Sequence, residues 1–114
     1  MIATAAVLER YGQLLRATAN YVSLHTRNPG LDGAYEVNAA KYQRQPVEWT
    51  AGGRNQYSLS FNLERLDGEP VHVAWIGYWS VDGVFQFASP TEPKDCRDDY
   101  VIGQGKLRVR AEAA

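Results

Sequence analysis

The 114-residue sequence has few of the features that mark secreted, membrane or nucleic-acid-binding proteins. Its single cysteine, Cys96, excludes an internal disulfide framework. Lys and Arg number 12 against 13 Asp and Glu, so no basic surface for DNA or RNA is expected. No apolar run approaches the roughly 20 residues of a membrane span. The N-terminus also lacks a basic region followed by an apolar core, so we expect no signal peptide.

Motifs that carry catalysis or bind metals are equally scarce. The only histidines, His25 and His72, are far apart in sequence and far from Cys96, whereas zinc ligands usually include closely spaced pairs. The acidic pair at 98–99 lacks the spacing of a calcium loop, and Gly52-Gly53 leads into no phosphate-binding helix. The sequence therefore predicts a protein that is not an enzyme and holds no metal or cofactor. Cys96 is interpreted as a lone loop thiol.

Aromatic and branched residues alternating with polar ones are what the sequence does contain, and this alternation is typical of strands. It is clearest over 57–64, where apolar residues should face inward and polar ones outward. Asp82-Gly83 predicts a hairpin with a type I′ turn. The polar segment Thr91–Asp99 is predicted to be an exposed loop, and 100–110 the last strand.

The segment Val71–Val81 is apolar on both sides, unlike the other predicted strands. Strict alternation separates Val71, Val73, Trp75 and Trp79 from Ala74, Ile76 and Tyr78. Such a strand belongs in the middle of the fold, or has one side in an intersubunit contact. Gly77 within it indicates a bulge or a close approach of another chain segment.

Residues 4–19 form the one predicted helix, with an apolar stripe that includes Leu14 and Leu15. Asn20 is expected to end it, because Asn accepts the left-handed conformation at a helix terminus. We expect the helix to cover one face of the fold. The sequence thus predicts a single domain over 1–114 that is mainly β. Its fold class is an antiparallel, jelly-roll-like β-sandwich with an N-terminal helix at about 4–19.

Residues Tyr21–Trp49 are predicted to form two extended segments around a long loop. Pro29 and Gly30 suit the two central positions of a tight turn. His25, at the end of the first segment, is interpreted as a structural imidazole that bonds the loop backbone. Its alternative roles are a general base or a metal ligand.

Arg44 lies near Tyr42 in the second extended segment, where we expect partial burial. A buried arginine needs a partner, and Glu36 is the candidate for a bidentate pair. Two roles stay open for Arg44: a structural clamp that ties the loop to its strand, and a bridge between subunits.

The three tryptophans raise the question of a sugar-binding platform, since lectin surfaces use flat exposed aromatic rings. Trp75 and Trp79 are better explained as core or interface residues. Trp49, together with Tyr35, is left as the candidate for a host glycan contact.

The same stretch resembles a family of short phage virion proteins, usually labelled phage tail fibre or minor tail proteins. The matching positions are Tyr21 to Thr26, Pro29-Gly30, Gly33, Glu36-Val37, Tyr42, Arg44-Gln45 and Trp49. A looser match covers 73–87, including Ile76-Gly77-Tyr78-Trp79 and Asp82-Gly83. The family's Ala/Gly/Thr-rich middle is replaced here by the charged segment 64–69.

The resemblance implies a non-enzymatic structural subunit of the virion, of the tail fibre or minor-tail type, assembled in the host cytoplasm. Its partners would be other virion proteins and further copies of itself, in a symmetric assembly built from repeated contacts. Two alternatives stay open: a head-decoration or collar protein, and a receptor module that binds a host glycan. The candidate structural and interface residues are His25, Pro29, Gly30, Glu36, Tyr42, Arg44, Trp49, Trp75 and Trp79.

Overall fold

The computed structural model describes residues 13–107, of which 13–18 are α-helical (α1). The strands are β1 (Tyr21–His25), β2 (Gln45–Pro46), β3 (Leu59–Asn62), β4 (Val71–Trp79), β5 (Phe85–Cys96) and β6 (Asp99–Ile102). They form one sheet in the order β2-β1-β4-β5 and a second sheet of β3 and β6. All pairings are antiparallel, which confirms the predicted mainly β, sandwich-like class. The predicted helical residues 4–12 lie outside the described residues.

One apolar core joins the two sheets. It contains residues from five of the strands and their connections, among them Val22, Leu24, Phe61, Ile76, Tyr78, Tyr100 and Ile102. Leu15 and Ala19 place α1 on this core, whereas Leu14, expected in the same stripe, is 57% exposed. Asn20 does end the helix, but through its side chain, which donates to the Arg16 carbonyl at 2.7 Å; its φ is not positive.

The two faces of the larger sheet differ in character. On the core face, Val22 of β1 lies opposite Tyr78 of β4, and Leu24 lies opposite Ile76. Ser23 and His25 alternate with them and point to the other face, so the two-residue period of the strand separates apolar from polar side chains. The predicted alternation of β1 is therefore confirmed.

The predicted side assignment of β4 is wrong in one half of the strand. Val71 and Val73 belong to the same core as Ile76 and Tyr78, rather than sharing a face with Trp79. The pairing with β5 is irregular between Val73 and Trp75. Such an irregularity inverts the alternation beyond it, because strand side chains repeat every two residues. The central position of β4, between β1 and β5, is as predicted.

Thr91–Cys96, predicted to belong to a loop, instead form the second half of β5. The segment is polar because β5 is the outer strand of its sheet in the part of the chain that the structure describes. An edge strand also tolerates Pro90 and Pro93, since an outward-facing backbone nitrogen needs no partner.

The hairpin between β4 and β5 lies where Asp82-Gly83 predicted it, but its turn is of another type. The Gly83 amide donates to the Ser80 carbonyl at 3.0 Å, so the central residues are Val81 and Asp82. Only Gly83 has a positive φ, of 78°, whereas a type I′ turn requires two central residues with positive φ.

Two other extended segments are shorter than predicted. Behind the long loop only β2 pairs with β1, and Trp49 makes an isolated bridge with Asn55. The predicted last strand ends at Ile102 and is followed by a turn at 104–106; its residues 108–110 lie outside the described residues. No helix within residues 13–107 is long and apolar enough to cross a bilayer.

Candidate functional site

Residues 26–44, which we call the pinned loop, follow β1. Gly33 and Ala34 lie over the polar face of the larger sheet, whereas Val37 and Tyr42 pack against the apolar core. One backbone hydrogen bond ties the loop to β1, from Val37 to the Leu24 carbonyl at 2.9 Å, and a second closes its first half, from Thr26 to the Tyr35 carbonyl at 3.0 Å. Gly33 lies against the ring of Trp79 so closely that a Cβ would overlap it. The loop therefore covers the sheet without a gap at this point.

A chain of directed hydrogen bonds holds the loop to the sheet. His25 Nδ1 lies 2.8 Å from the Ala34 carbonyl, which only accepts, so Nδ1 carries the proton. Nε2 of the neutral ring then accepts from Ser23 Oγ at 2.6 Å. The Ser23 oxygen in turn accepts from Trp79 Nε1 at 2.7 Å. His25 is thus a structural imidazole on the loop backbone, as the sequence predicted.

Gly77 makes this arrangement possible. It lies opposite Ser23 across the β1–β4 pair, and a Cβ on it would overlap both the Ser23 hydroxyl and the His25 ring. The glycine expected to mark a bulge or a close approach thus marks a close approach. It provides the space in which the imidazole lies flat on the sheet.

The second half of the loop is held by a charged pair. Arg44 donates to both carboxylate oxygens of Glu36, through Nε at 3.0 Å and Nη2 at 2.9 Å. The Tyr42 hydroxyl also donates to Glu36, at 2.7 Å, and accepts from the Leu24 amide at 3.0 Å. The predicted bidentate pair is confirmed, and Tyr42 connects it to β1.

Arg44 also lies over the ring of Trp79, with Cζ 3.5 Å from the ring centroid. The guanidinium therefore contacts the same indole that donates to Ser23. Arginine is suited to this double role because its flat group stacks on aromatic rings while its N–H groups bind a carboxylate. Both partners belong to one chain, which is the geometry of a clamp.

These contacts shift the pKa values of the ionisable groups. Burial lowers the pKa of His25 below its usual value, although the bond to the Ala34 carbonyl opposes this. Burial alone would raise the pKa of Glu36, but the hydrogen bonds from Arg44 and Tyr42 outweigh it and hold that pKa below its usual value. Burial and the Glu36 carboxylate raise the pKa of Tyr42. At neutral pH the site holds a neutral imidazole beside a closed ion pair.

The tip of the pinned loop is ordered from within and faces outward. Pro29 is buried and Gly30 has a φ of 65°. The turn covers 30–33 and is closed by the Ala34 amide, which donates to the Pro29 carbonyl at 3.1 Å, so Pro29 and Gly30 are not its two central residues as predicted. Leu31, at the tip, is fully exposed. Tyr35 is also exposed and is the one described non-glycine residue with positive φ, at 60°; Arg27 lies over its ring.

Most of the candidate residues predicted from sequence lie in or beneath this loop. The loop contains Pro29, Gly30, Glu36, Tyr42 and Arg44. His25 and Trp79 lie beneath it, and Trp75 pairs with His25 across β1 and β4. Trp49 does not belong to it. Its ring is in the core, only 3% exposed, with Nε1 donating to the Ala19 carbonyl at 2.7 Å. Trp49 is therefore not an exposed sugar platform in this structure.

Sequence reasoning missed two buried polar residues. Ser23 links Trp79 to His25, and the signal was available, because a serine two residues before a histidine lies on the same strand face. Asn55 donates to the carbonyls of Tyr57 and Gly103 and accepts from the Leu107 amide at 2.8 Å. Nothing local in the sequence marks Asn55, since its partners are brought to it by the fold.

The arrangement offers little catalytic chemistry. A serine beside a histidine is the start of a nucleophile–base pair, but Ser23 and His25 are fully buried under the loop. The Ser23 oxygen is also occupied by Trp79. Among residues 13–107 no group of three side chains could hold a metal ion. Cys96 is buried at the end of β5 rather than in a loop, and its thiol contacts the Asp99 carbonyl.

Comparison with models of protein families, with curated proteins and with solved structures finds no match to this chain in any of the three.

Proposed function

We propose that the chain is a non-enzymatic structural subunit of a phage virion, of the tail fibre or minor-tail type. It assembles through repeated contacts with other virion proteins and with copies of itself. The residue pattern shared with that family is the source of the proposal. The structure supports it because most residues of that shared pattern lie in or beneath the pinned loop and fix it on the sheet.

The observation that carries the proposal is the contrast between the inside and the tip of this loop. Inside, Tyr42 and Arg44 both donate to the Glu36 carboxylate. No buried side-chain nitrogen or oxygen in the described part of the chain lacks a partner. At the tip, Leu31 and Tyr35 face solvent. The polar groups are therefore used to shape the loop, and the apolar ones are left for a contact.

A loop that is ordered in advance suits assembly. Docking it costs little conformational entropy, because its backbone is fixed before the partner arrives. Burying Leu31 in a neighbouring subunit would contribute about 2 kcal/mol per contact. Such a contact is weak by itself, but repetition around a symmetric particle multiplies its effect.

The alternatives differ in how they use this surface. A head-decoration or collar protein would use the same contact at another place in the particle, since β-sandwich modules serve many unrelated roles. A glycan-binding module is less well supported: Trp49 is in the core, and Trp79 is covered by Arg44 and Gly33. Of the two residues named as glycan contacts, only Tyr35 is exposed.

The test is whether the chain is a component of phage particles produced by cells that encode it. Particles are purified by density-gradient centrifugation and their proteins quantified by mass spectrometry. We expect several copies of the chain per particle. Its presence only in the soluble cell fraction, with none in the particles, would contradict the proposal.

A matched pair of variants tests the contact itself. Leu31→Ser changes the fully exposed tip of the pinned loop, and Leu66→Ser changes a 97% exposed leucine in a turn outside it. Both are surface changes and should alter stability by no more than about 0.5 kcal/mol. We expect only Leu31→Ser to lower incorporation into particles. Equal incorporation of both variants would exclude the loop tip as the contact.

A further inference from the structure

We propose that His25 is an acid-sensitive latch, and that protonation of its ring releases residues 26–35 from the sheet. The proposal does not depend on the virion role, because it follows from the hydrogen-bond chain alone. It assigns to His25 a regulatory function beyond its structural one.

The latch works in only one protonation state. The Ala34 carbonyl requires a proton on Nδ1, and the Ser23 hydroxyl donates to an unprotonated Nε2. Ser23 has one proton to donate, and it gives it to His25 because Trp79 is a donor only. The neutral ring with its proton on Nδ1 satisfies every polar group in this hydrogen-bond chain. The other neutral tautomer, with its proton on Nε2, does not.

Protonation reverses the bond between His25 and Ser23. The imidazolium donates from both nitrogens, so the Ser23 hydroxyl must accept from Nε2 as well as from Trp79. Its own proton then loses the Nε2 acceptor that it has in the neutral state. A buried donor without an acceptor and a buried charge are both unfavourable.

The charged groups around the ring do not compensate for this. Glu36 lies opposite His25 in an isolated β-bridge of the backbone, and its carboxylate attracts a positive ring. That carboxylate is already bound by Arg44 and Tyr42. Arg44 repels a positive ring. From β4 and β5 the neighbours are uncharged: Trp75, Gly77, Trp79 and Phe85.

The loop is the element that moves. The strands below His25 are held by paired backbone and by the apolar core on their other face. Residues 26–35 are held by a few backbone hydrogen bonds, the Ala34–His25 bond and the packing of Pro29 and Gly33. Glu36 and Val37 stay in place, because Glu36 is bound by Arg44 and Tyr42 and Val37 is part of the apolar core. Opening residues 26–35 hydrates the imidazolium and uncovers the rings of Trp79 and Phe85. Acid thus converts a closed surface into an apolar one.

The direction of the pH effect follows from the depressed pKa of His25. In the open loop the ring is solvated and titrates near the ordinary value of about 6.5. Closure is therefore most stable above about pH 6.5 and weakens as pH falls toward the lower pKa of the closed state. Between the pKa of the open state and that of the closed state, the population of the open loop should rise about tenfold for each unit by which the pH falls.

Amide hydrogen exchange between pH 7.5 and 5.0, corrected for intrinsic rates, measures this opening. We expect amides of residues 26–35, including Thr26 and Ala34, to exchange faster as pH falls. Amides of the β1–β4 pair should stay protected. In the same samples the His25 ring protons, followed by NMR, should titrate with the same midpoint as the exchange.

The two histidines provide the matched control. His72→Gln removes a ring that is exposed and paired with Asp95, and it should leave the pH response of the loop unchanged. His25→Gln should abolish the response, whether its loop is open or closed.

A wild-type loop whose corrected exchange is flat to pH 5.0 would overturn the proposal. So would loss of protection in β1 and β4 in parallel with the loop. If His25→Gln does not fold, the wild-type titration and exchange midpoints decide: midpoints that differ reject the latch.

Discussion

The two faces of the larger sheet are built from the same two strands but held by different forces. On one face Val22 and Leu24 of β1 pack against Ile76 and Tyr78 of β4 in the apolar core. On the other face, alternate residues of the same strands form a hydrogen-bonded chain beneath the pinned loop. Apolar packing depends on the area removed from water, whereas the polar chain depends on direction and on protonation state.

The difference separates two tasks. The core face gives the domain its stability, because burying hydrocarbon is the dominant favourable term in folding. The polar face contributes less free energy but fixes one conformation of one loop, since only one assignment of donors and acceptors satisfies all of its hydrogen bonds. Residues one position apart in β1 should therefore respond differently to substitution and to pH.

The largest effect is expected on the core face. Leu24→Ala should lower the free energy of unfolding by about 2–5 kcal/mol, because Leu24 is fully buried and leaves a cavity. The loss should be the same at pH 5 and pH 7, measured by urea unfolding. Val101→Ala, at a 60% exposed position, is the control and should change stability by less than about 0.5 kcal/mol. A loss at Leu24 no greater than that at Val101 would refute the assigned core.

Gly77→Ala should have the next largest effect. The added methyl group would overlap Ser23 and His25, and overpacking of this kind costs about 1–3 kcal/mol. Gly52→Ala is the matched control, since a Cβ there meets nothing within 4 Å. Thermal unfolding of the two variants should differ clearly. Equal melting temperatures would mean that the imidazole does not lie against the Gly77 backbone.

Ser23→Ala should cost about 1–3 kcal/mol, because it leaves Trp79 Nε1 without an acceptor and His25 Nε2 without a donor. Unlike Leu24→Ala, it should also change the pH dependence, since the partner that requires an unprotonated Nε2 is gone. Ser60→Ala, at an exposed position of β3, is the control. A Ser23→Ala protein with wild-type stability and pH response would break the distinction between the two faces.

Arg44→Met should have the smallest effect, about 1 kcal/mol, because the pair with Glu36 is partly exposed. The Glu36 pKa is depressed, so the pair stabilises the protein above the ordinary Glu value of about 4.3 and loses this effect as pH falls through the lower folded value. The variant should lack this step in a stability–pH profile. Lost assembly with unchanged melting would instead assign Arg44 to a bridge between subunits.

The features predicted from sequence are those set by short-range pattern. The faces of β1 followed from alternation, and the Glu36–Arg44 pair followed from the need of a covered arginine for a carboxylate eight residues away. The hairpin at 82–83 was marked by its turn residues. Each depends on neighbours in the chain and not on the final arrangement of the sheets.

The features that sequence did not predict depend on pairing between strands. The change of face in β4 comes from an irregular register with β5. The strand character of Thr91–Cys96 comes from its place beside β4, which overrides its polar, proline-containing composition. Ser23 became part of the site only because β1 pairs with β4 and brings it to Trp79.

The most direct test of the account is the protonation state of His25 at pH 7, read from the ¹⁵N chemical shifts of its ring. We predict a neutral ring with the proton on Nδ1 and a bare Nε2, the one form that binds the Ala34 carbonyl and the Ser23 hydroxyl together. A proton on Nε2 instead, or a charged ring, would contradict the hydrogen-bond chain on which the pinned loop and its latch both depend.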